Sequence, residues 1–213
     1  KSSAAKEEHT ERAARAFAVR NQPFVEKEES GDCKLDVLLV VDSSGSVQRS
    51  YDIQKRFLAS VLEEIDVSTR THRVALIQFA GARLQKTEWS FDDMKANEQL
   101  MRAFTRVRHF TGTTYIGAAL SAARSLLDTR RAGVKTIVLL LSDGYSQDEV
   151  VDAADDISSM EDVEIFAVSV SPLSNVQLLE RVTGDVSRVF VGRESELMRD
   201  VLKQKLDCTI SRA

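Results

Sequence analysis

One carboxylate and two hydroxyls alternate along a short stretch of the chain, at Asp42, Ser44 and Ser46. The stretch follows residues 35–41, a run that is apolar except for one aspartate and is typical of a buried strand. In open α/β sheets, ligands bind at the carboxyl ends of the strands. Oxygen donors collected there suit Mg²⁺ or another hard cation. Taken alone, the same spacing also fits a turn that caps the following helix.

Two later positions carry the same kind of donor. Thr114 lies in a loop that opens a helical segment at Ile116, and Asp143 follows the apolar run 135–141 and precedes Gly144. Each has an ordinary alternative, as a helix N-cap or as the aspartate of a strand-to-helix turn. Together with the first stretch, they supply hydroxyls and carboxylates from two strand ends and one helix-opening loop.

The hydrophobic pattern predicts the elements that would bring these groups together. Strands are expected over 35–41, 73–79, 84–89, 135–141, 163–170 and 188–191, and helices over 53–65, 96–106, 116–129, 148–160, 176–181 and 194–206. This alternation indicates an α/β fold with a doubly wound, mostly parallel central sheet and helices on both faces. The gap 80–83 is too short for a crossover, so the third strand should be an antiparallel edge strand. In the last helix, Leu197, Val201 and Leu202 are expected to face the core.

The ordered set Asp42, Ser44, Ser46, Thr114 and Asp143 resembles the metal-ion-dependent adhesion site of the von Willebrand factor type A domain, the integrin I-domain family. The resemblance covers about residues 34–208 and extends to Phe79 and to the helix start Gly117-x-Ala119-Leu120. Two positions depart from the family pattern, Ser142 where threonine is commoner and Thr113 where a second glycine is frequent. Neither change removes a ligand, and the resemblance implies a Rossmann-like fold.

The resemblance also implies a role for each donor. Ser44 and Ser46 would coordinate the ion directly, and Thr114 directly in a ligand-ready state or through water otherwise. Asp42 and Asp143 would act through waters and hydrogen bonds. The ion would be Mg²⁺, with Mn²⁺ or Ca²⁺ as alternatives, and one of its waters would give way to a carboxylate from a protein partner. The implied function is adhesion or matrix binding, without catalysis.

Four residues beside the proposed ligands form a possible ligand rim. Arg108 and His109 precede Thr114 in a basic stretch that could steer an acidic partner. Tyr115 and Tyr145 flank Thr114 and Asp143 and could serve as exposed aromatic anchors. The alternatives are a solvated helix face for the basic residues and ordinary loop packing for the tyrosines.

An enzyme is the competing class of function. Asp42 could be the nucleophile of a dehalogenase-like phosphatase, but such enzymes carry a second aspartate two positions on, where this chain has Ser44. The sequence has neither a Gly-x-Ser-x-Gly elbow nor a Gly-x-x-x-x-Gly-Lys-Ser/Thr phosphate loop. The histidines His9, His72 and His109 have no triad spacing and are expected as surface or loop residues.

The composition limits the class of protein to which the chain can belong. The 213 residues are 43% hydrophobic with a formal net charge of -4, which suits a globular domain and argues against a general nucleic-acid binder. No stretch approaches the ~20 apolar residues of a membrane span. The chain begins at Lys1 without a signal-like segment, and we therefore expect it to be part of a larger protein.

Two cysteines, Cys33 and Cys208, bracket the patterned region. Neither lies within an apolar run that would bury a free thiol, so we expect a Cys33–Cys208 disulfide that joins the domain ends, with two unpaired thiols as the alternative. A disulfide implies an oxidising compartment. We expect an extension or linker at 1–32, the domain at 33–208 and a tail at 209–213. The parent would be a secreted matrix protein or the ectodomain of a membrane protein, with an intracellular assembly scaffold as the alternative.

Overall fold

Six strands form one sheet in the computed structural model, which describes residues 33–206. They are β1 (Asp36–Asp42), β2 (Arg73–Phe79), β3 (Gln85–Trp89), β4 (Thr136–Leu141), β5 (Val163–Ser169) and β6 (Val189–Val191). Their order across the sheet is β3-β2-β1-β4-β5-β6, and only the β2–β3 edge pair is antiparallel. The predicted fold is confirmed, whereas the domain boundaries stay a prediction because 1–32 and 207–213 lie outside the described residues.

Helices connect the strands in the expected places. They are α1 (Tyr51–Glu63), α2 (Asn97–Thr105), α3 (Ile116–Leu127), α4 (Val151–Ser158), α5 (Val176–Thr183) and α6 (Leu197–Leu206). Short 3₁₀ helices span Val186–Arg188 and Gly192–Glu196. The single helix predicted over 194–206 is therefore a 3₁₀ turn followed by α6. None of the helices in the described part of the chain has the length and apolarity needed to cross a membrane.

β1 is buried on both faces because it lies at the centre of the sheet. Val37, Leu39 and Val41 contribute to a core cluster that also contains residues of α1, α2 and α6. Leu38 and Val40 point to the opposite cluster, which contains residues of α3, α4 and α5. Every residue of β1 is buried. Packing on both faces therefore fixes the position in space of the last residue of the strand, Asp42. A near-continuous apolar run is the pattern expected of such a parallel strand.

The residues with which the last helix faces the core agree only in part with those predicted. Leu197 is 52% exposed, whereas Met198 and Leu202 are fully buried and Val201 is partly buried. Met198 and Leu202 are four positions apart and share one face of the helix. Leu197 precedes that face, because the preceding 3₁₀ turn sets the rotation at which the α-helix starts. The expectation was correct for Leu202, held partly for Val201 and was wrong for Leu197.

His72 is buried, contrary to the expectation of a surface or loop position. It is 6% exposed, its carbonyl accepts the Ser68 N–H, and its Nδ1 has no partner within residues 33–206. Burial is the main cause that lowers the pKa of His72, with the Arg131 cation adding to it and Asp66 and Asp36 opposing it. The folded domain therefore keeps this imidazole neutral at pH values where an exposed histidine is charged.

We predict that His72 makes the domain less stable in mild acid. As the pH falls below about 6.5, the unfolded chain takes up a proton at this histidine but the folded chain does not, so the free energy of unfolding decreases. The loss continues until the lower folded-state pKa is reached. Urea unfolding at pH 7.5 and pH 5 should show a smaller loss for His72→Phe than for the unmodified chain. Equal losses would contradict this origin of acid sensitivity.

Candidate metal centre

Three hydroxyls meet above the carboxyl end of β1. Ser44 Oγ lies 3.0 Å from Ser46 Oγ and 2.8 Å from Thr114 Oγ1, and Ser46 Oγ lies 3.4 Å from Thr114 Oγ1. Ser44 and Thr114 are buried, whereas Ser46 is exposed. This hydroxyl cluster is thus held by the protein on one side and open to solvent on the other. The structure brings together the residues that the sequence analysis selected, and their role as metal ligands stays a prediction.

Asp42 is fully buried directly below the cluster. Its Oδ1 accepts the Ser44 N–H at 2.9 Å, and its Oδ2 accepts the Ser142 hydroxyl at 2.7 Å. The Gln54 side-chain amide donates to the Asp42 carbonyl at 2.7 Å, which holds the backbone as well. Burial raises the pKa of Asp42 to about 6, with a smaller contribution from the charge of Asp143, while the Ser142 and Ser44 hydrogen bonds lower it. Ser142, at the position where threonine is commoner in the family, therefore still donates its hydroxyl to Asp42.

Asp143 supplies the second carboxylate from the end of β4. It is 8% exposed, and its Oδ1 accepts the Tyr145 N–H at 3.2 Å. Its carbonyl accepts the Asn175 N–H at 2.8 Å, which ties this turn to the start of α5. Within residues 33–206, neither Asp42 nor Asp143 forms an ion pair. The two buried carboxylates thus leave negative charge without a positive protein partner.

This donor set fits a hard divalent cation. Hydroxyl and carboxylate oxygens are ligands that Mg²⁺, Mn²⁺ and Ca²⁺ accept. A bound cation would also offset the charge of the two carboxylates, which no lysine or arginine of the described chain does. The same residues 33–206 contain no group of three or more His, Cys, Asp and Glu side chains that could hold a metal.

Backbone hydrogen bonds join the loop after β1 to the loop before α3. The Thr111 N–H donates to the Ser43 carbonyl at 2.9 Å, and the Gly45 N–H donates to the Gly112 carbonyl at 2.8 Å. Thr111 and Gly112 both have positive φ, at 77° and 140°. Such a φ is strained for a β-branched threonine, so the cross-loop bonds hold Thr111 in a conformation that it disfavours.

The N-terminus of α3, which follows Thr114 directly, is capped by a distant loop. The N-cap residue Tyr115 makes no side-chain cap. Instead, Asp148 accepts the Gly117 N–H at 3.0 Å and the Ala118 N–H at 2.7 Å, and Ser146 Oγ accepts the Ile116 N–H at 2.9 Å. The loop after β4 therefore anchors the helix, and the Thr114 hydroxyl lies in the cluster and does not cap it. Asp148 and Ser146 were not predictable from the sequence, because nothing local links them to α3.

A close backbone approach makes this anchor possible. A Cβ on Gly117 would lie 1.9 Å from the Glu149 carbonyl oxygen, far inside van der Waals contact. The absence of a side chain at Gly117 thus lets the loop after β4 reach the first turn of α3.

The four rim residues differ in their surroundings. Tyr145 is 54% exposed and Arg108 is also exposed, whereas Tyr115 is partly buried. His109 is partly buried, its Nε2 lies 3.0 Å from the Ser44 carbonyl oxygen, and its ring centroid lies 4.3 Å from that of Tyr51. His109 thus supports the loop that carries Ser44. Tyr145 and Arg108 are the two members of the rim with most access to solvent.

Fold and site together define a Rossmann-like α/β domain with a polar cluster at the carboxyl edge of a parallel sheet. The family model of the von Willebrand factor type A domain matches residues 36–204, and the chain belongs to this family.

Curated relatives include the mouse (Mus musculus) collagen alpha-5(VI) chain, 30% identical over 75% of this chain, and cuticlin-6 of Caenorhabditis elegans, 29% identical over 81%. This chain covers 6% and 30% of their lengths. It is thus similar to a limited part of each relative.

Solved structures with the same fold include two proteins that contain bound metals. The mussel byssus proximal thread matrix protein 1, with a zinc occupied MIDAS motif, has a TM-score of 0.72 and 22% identity, with 82% of this chain and 46% of that chain covered. The manganese-loaded TRAP protein of Plasmodium vivax has a TM-score of 0.68 and 16% identity, with coverages of 82% and 74%. At these identities, the similarity shows the fold alone.

We predict that Asp148→Ala lowers the free energy of unfolding by about 1–2 kcal/mol, because the first turn of α3 loses its cap. Urea unfolding at pH 7 measures the change. Asp155→Ala is the matched control, since Asp155 is an exposed carboxylate on α4 without such contacts, and it should change stability by less than about 0.5 kcal/mol. Equal effects of the two substitutions would rule out Asp148 as the cap.

Proposed function

We propose that this domain binds a divalent cation and, through it, an acidic residue of a protein ligand. Ser44, Ser46 and Thr114 would coordinate the ion, with Asp42 and Asp143 acting through waters and hydrogen bonds. The observation that carries the proposal is a cluster of three hydroxyls within 3.4 Å of one another, beside two carboxylates that have no ion-pair partner in the described chain. The site is thus rich in hard donors and poor in positive charge.

The character of these donors favours a bridging role for the ion. Neutral hydroxyls in direct contact leave most of the ionic charge in place, and the nearby carboxylates reduce it only partly. The exposed side at Ser46 gives a partner access to the ion. A carboxylate from the partner can then replace a water and complete the charge balance. Mg²⁺ fits this role because it keeps several waters in an octahedral shell.

The surface around the site supports a protein partner. Of the seven exposed large hydrophobic residues in the described range, six lie in the loops or first helical turns at the carboxyl edge of the sheet: Ile53, Leu84, Tyr145, Leu173, Val176 and Leu197. Exposed apolar side chains concentrated on one face are typical of an interaction surface. Arg108, which is exposed in the loop before α3, would favour the approach of an acidic segment.

The relatives favour an extracellular setting for this function. Those named above are a collagen chain and a cuticlin, and the metals named for the mussel and Plasmodium proteins are divalent. We therefore propose a non-enzymatic adhesion or matrix-binding module, either in a secreted protein or in the ectodomain of a membrane protein. The proposed domain spans residues 33–208.

We predict that Asp42→Ala or Asp143→Ala abolishes Mg²⁺-dependent binding of an acidic protein ligand and leaves the domain folded. Ser44→Ala should weaken binding by at least about tenfold, because it removes one donor to the ion. Titration calorimetry with Mg²⁺ measures ion binding, and surface capture of candidate matrix proteins measures ligand binding.

The matched control is Ser125→Ala, which removes an exposed hydroxyl from α3 far along the chain from the cluster. It should leave both measurements unchanged. Ligand capture that persists unaltered in EDTA would refute the proposed mechanism.

We also propose that Cys33 and Cys208 form a disulfide. Cys33 Sγ lies 3.0 Å from the carbonyl oxygen of Leu206, so the end of α6 lies beside the start of β1. Cys208 itself lies outside the described residues, but only two positions beyond Leu206. Because Leu206 contacts Cys33, a cysteine two positions further along the chain favours a disulfide over two free thiols.

We predict that closing this loop stabilises the domain by up to about 4–5 kcal/mol, because the link restricts the unfolded chain. Thermal unfolding with and without reductant measures the effect, and the Cys33→Ser/Cys208→Ser double substitution should match the reduced form. Identical melting temperatures in all three samples would mean that the ends are not joined by a stabilising link.

A further inference from the structure

One glutamine of β2 reaches three separate segments beneath the hydroxyl cluster. Gln78 is fully buried, and its Nε2 lies 2.6 Å from Ser43 Oγ, 2.6 Å from the Arg108 carbonyl oxygen and 3.2 Å from Tyr51 Oη. Ser43 belongs to the loop after β1, Arg108 to the loop before α3, and Tyr51 to α1. A single amide group therefore bridges the two loops that carry the hydroxyl cluster.

The neighbours of Gln78 fix which way its amide points. The Arg108 oxygen is a carbonyl and only accepts, so the nitrogen must face it. An amide nitrogen has two hydrogens, and the two nearer oxygens, of Ser43 and Arg108, take them. Gln78 Oε1 is left without a hydrogen-bond partner within residues 33–206. An unpaired buried acceptor is unusual in a folded protein. Gln78 Oε1 lacks a partner in the described residues because the amide is oriented with its nitrogen toward Ser43 and Arg108.

Ser43 connects Gln78 to the loop that leads to Thr114. Its Oγ accepts the Phe110 N–H at 2.7 Å as well as the Gln78 amide, and its carbonyl accepts the Thr111 N–H. Thr111 has a disfavoured positive φ, which persists only where neighbouring contacts fix it. Loss of the Gln78 donor would therefore remove one of the restraints on a strained loop.

We propose that Gln78 is a positioning residue that sets the spacing between Thr114 and Ser44 and thereby tunes the affinity of the site for its cation. Gln78 does not touch the hydroxyl cluster and acts through Ser43 and Arg108. The proposal rests on the proposed function for the identity of the ligand. Groups that orient direct ligands typically change metal affinity by about 10–100-fold when they are substituted.

The test compares Gln78→Met with the unmodified 213-residue chain. The substitution keeps the approximate length of the side chain, loses the N–H donor and adds no charge. Mn²⁺ binding, followed by electron paramagnetic resonance, should weaken by about tenfold. In the metal-free chain, amide hydrogen exchange at Phe110 and Thr111 should accelerate, while exchange in β1 and β4 stays the same. A role limited to filling space would leave Gln78→Met at the unmodified values.

Thr136→Val is the matched control for loss of a buried polar group. Thr136 is 1% exposed at the opposite edge of the sheet, where its hydroxyl donates to the Val134 carbonyl. It should leave Mn²⁺ affinity and the exchange of Phe110 unchanged. A folded Gln78→Met chain with unmodified Mn²⁺ affinity and unmodified exchange at Phe110 would overturn the proposal.

Two further outcomes are separable. If the unmodified chain does not bind Mn²⁺, the proposed function fails, and exchange in the metal-free chain still decides whether Gln78 holds the loop. If Gln78→Met does not fold, Ser43→Ala removes the same link from its accepting side. The readout in Ser43→Ala is exchange at Thr111, because the Thr111 N–H bonds to the Ser43 carbonyl that this variant keeps. Unaltered exchange at Thr111 would then overturn the role of this link.

Discussion

The buried carboxylate of Asp42 is the constraint on which the arrangement of the site depends. β1 is packed on both faces and paired with β2 and β4, so its last residue has one position. At that position the carboxylate is out of contact with water and has no cationic partner in residues 33–206. A buried charge is costly unless it is hydrogen-bonded or paired. The hydrogen bonds from Ser44 and Ser142 meet part of this need, and a cation above them would meet the rest.

The site owes its shape to contacts between residues that are distant along the chain. Ser142 reaches Asp42 from β4, Gln54 reaches it from α1, and Asp148 holds the helix that follows Thr114. A single hydrogen bond of this kind contributes about 1 kcal/mol. Several such bonds act on the two loops and hold the hydroxyls together. A preorganised site of this kind would lose little entropy on binding the cation that we propose.

Sequence patterns were sufficient for the architecture, and they selected three hydroxyl residues that the structure places together, whereas the role of the five donors as metal ligands stays a prediction. Long apolar runs define the strands because a central parallel strand is buried on both faces, and the short gap at 80–83 required the antiparallel edge pair. The supporting residues Gln78 and Asp148 were not predictable in this way. Each acts on a segment at least thirty positions away, and neither has a local motif. The exposed Leu197 was mispredicted because the 3₁₀ turn before α6 changes the helix phase, which the hydrophobic pattern does not encode.

The meeting of Cys33 with the end of α6 has a mechanical consequence. Cys33 Sγ and the Leu206 carbonyl oxygen lie 3.0 Å apart, beside the amino ends of the strands, while the hydroxyl cluster lies at their carboxyl ends. Tension applied through the segments that flank residues 33–206 enters and leaves the domain at neighbouring points. The load then passes between the residues just before β1 and the last turn of α6. It does not pass along the strands of the sheet. A ligand held at the opposite edge, as we propose, would therefore lie outside the path of tension along the chain for as long as these two ends stay together.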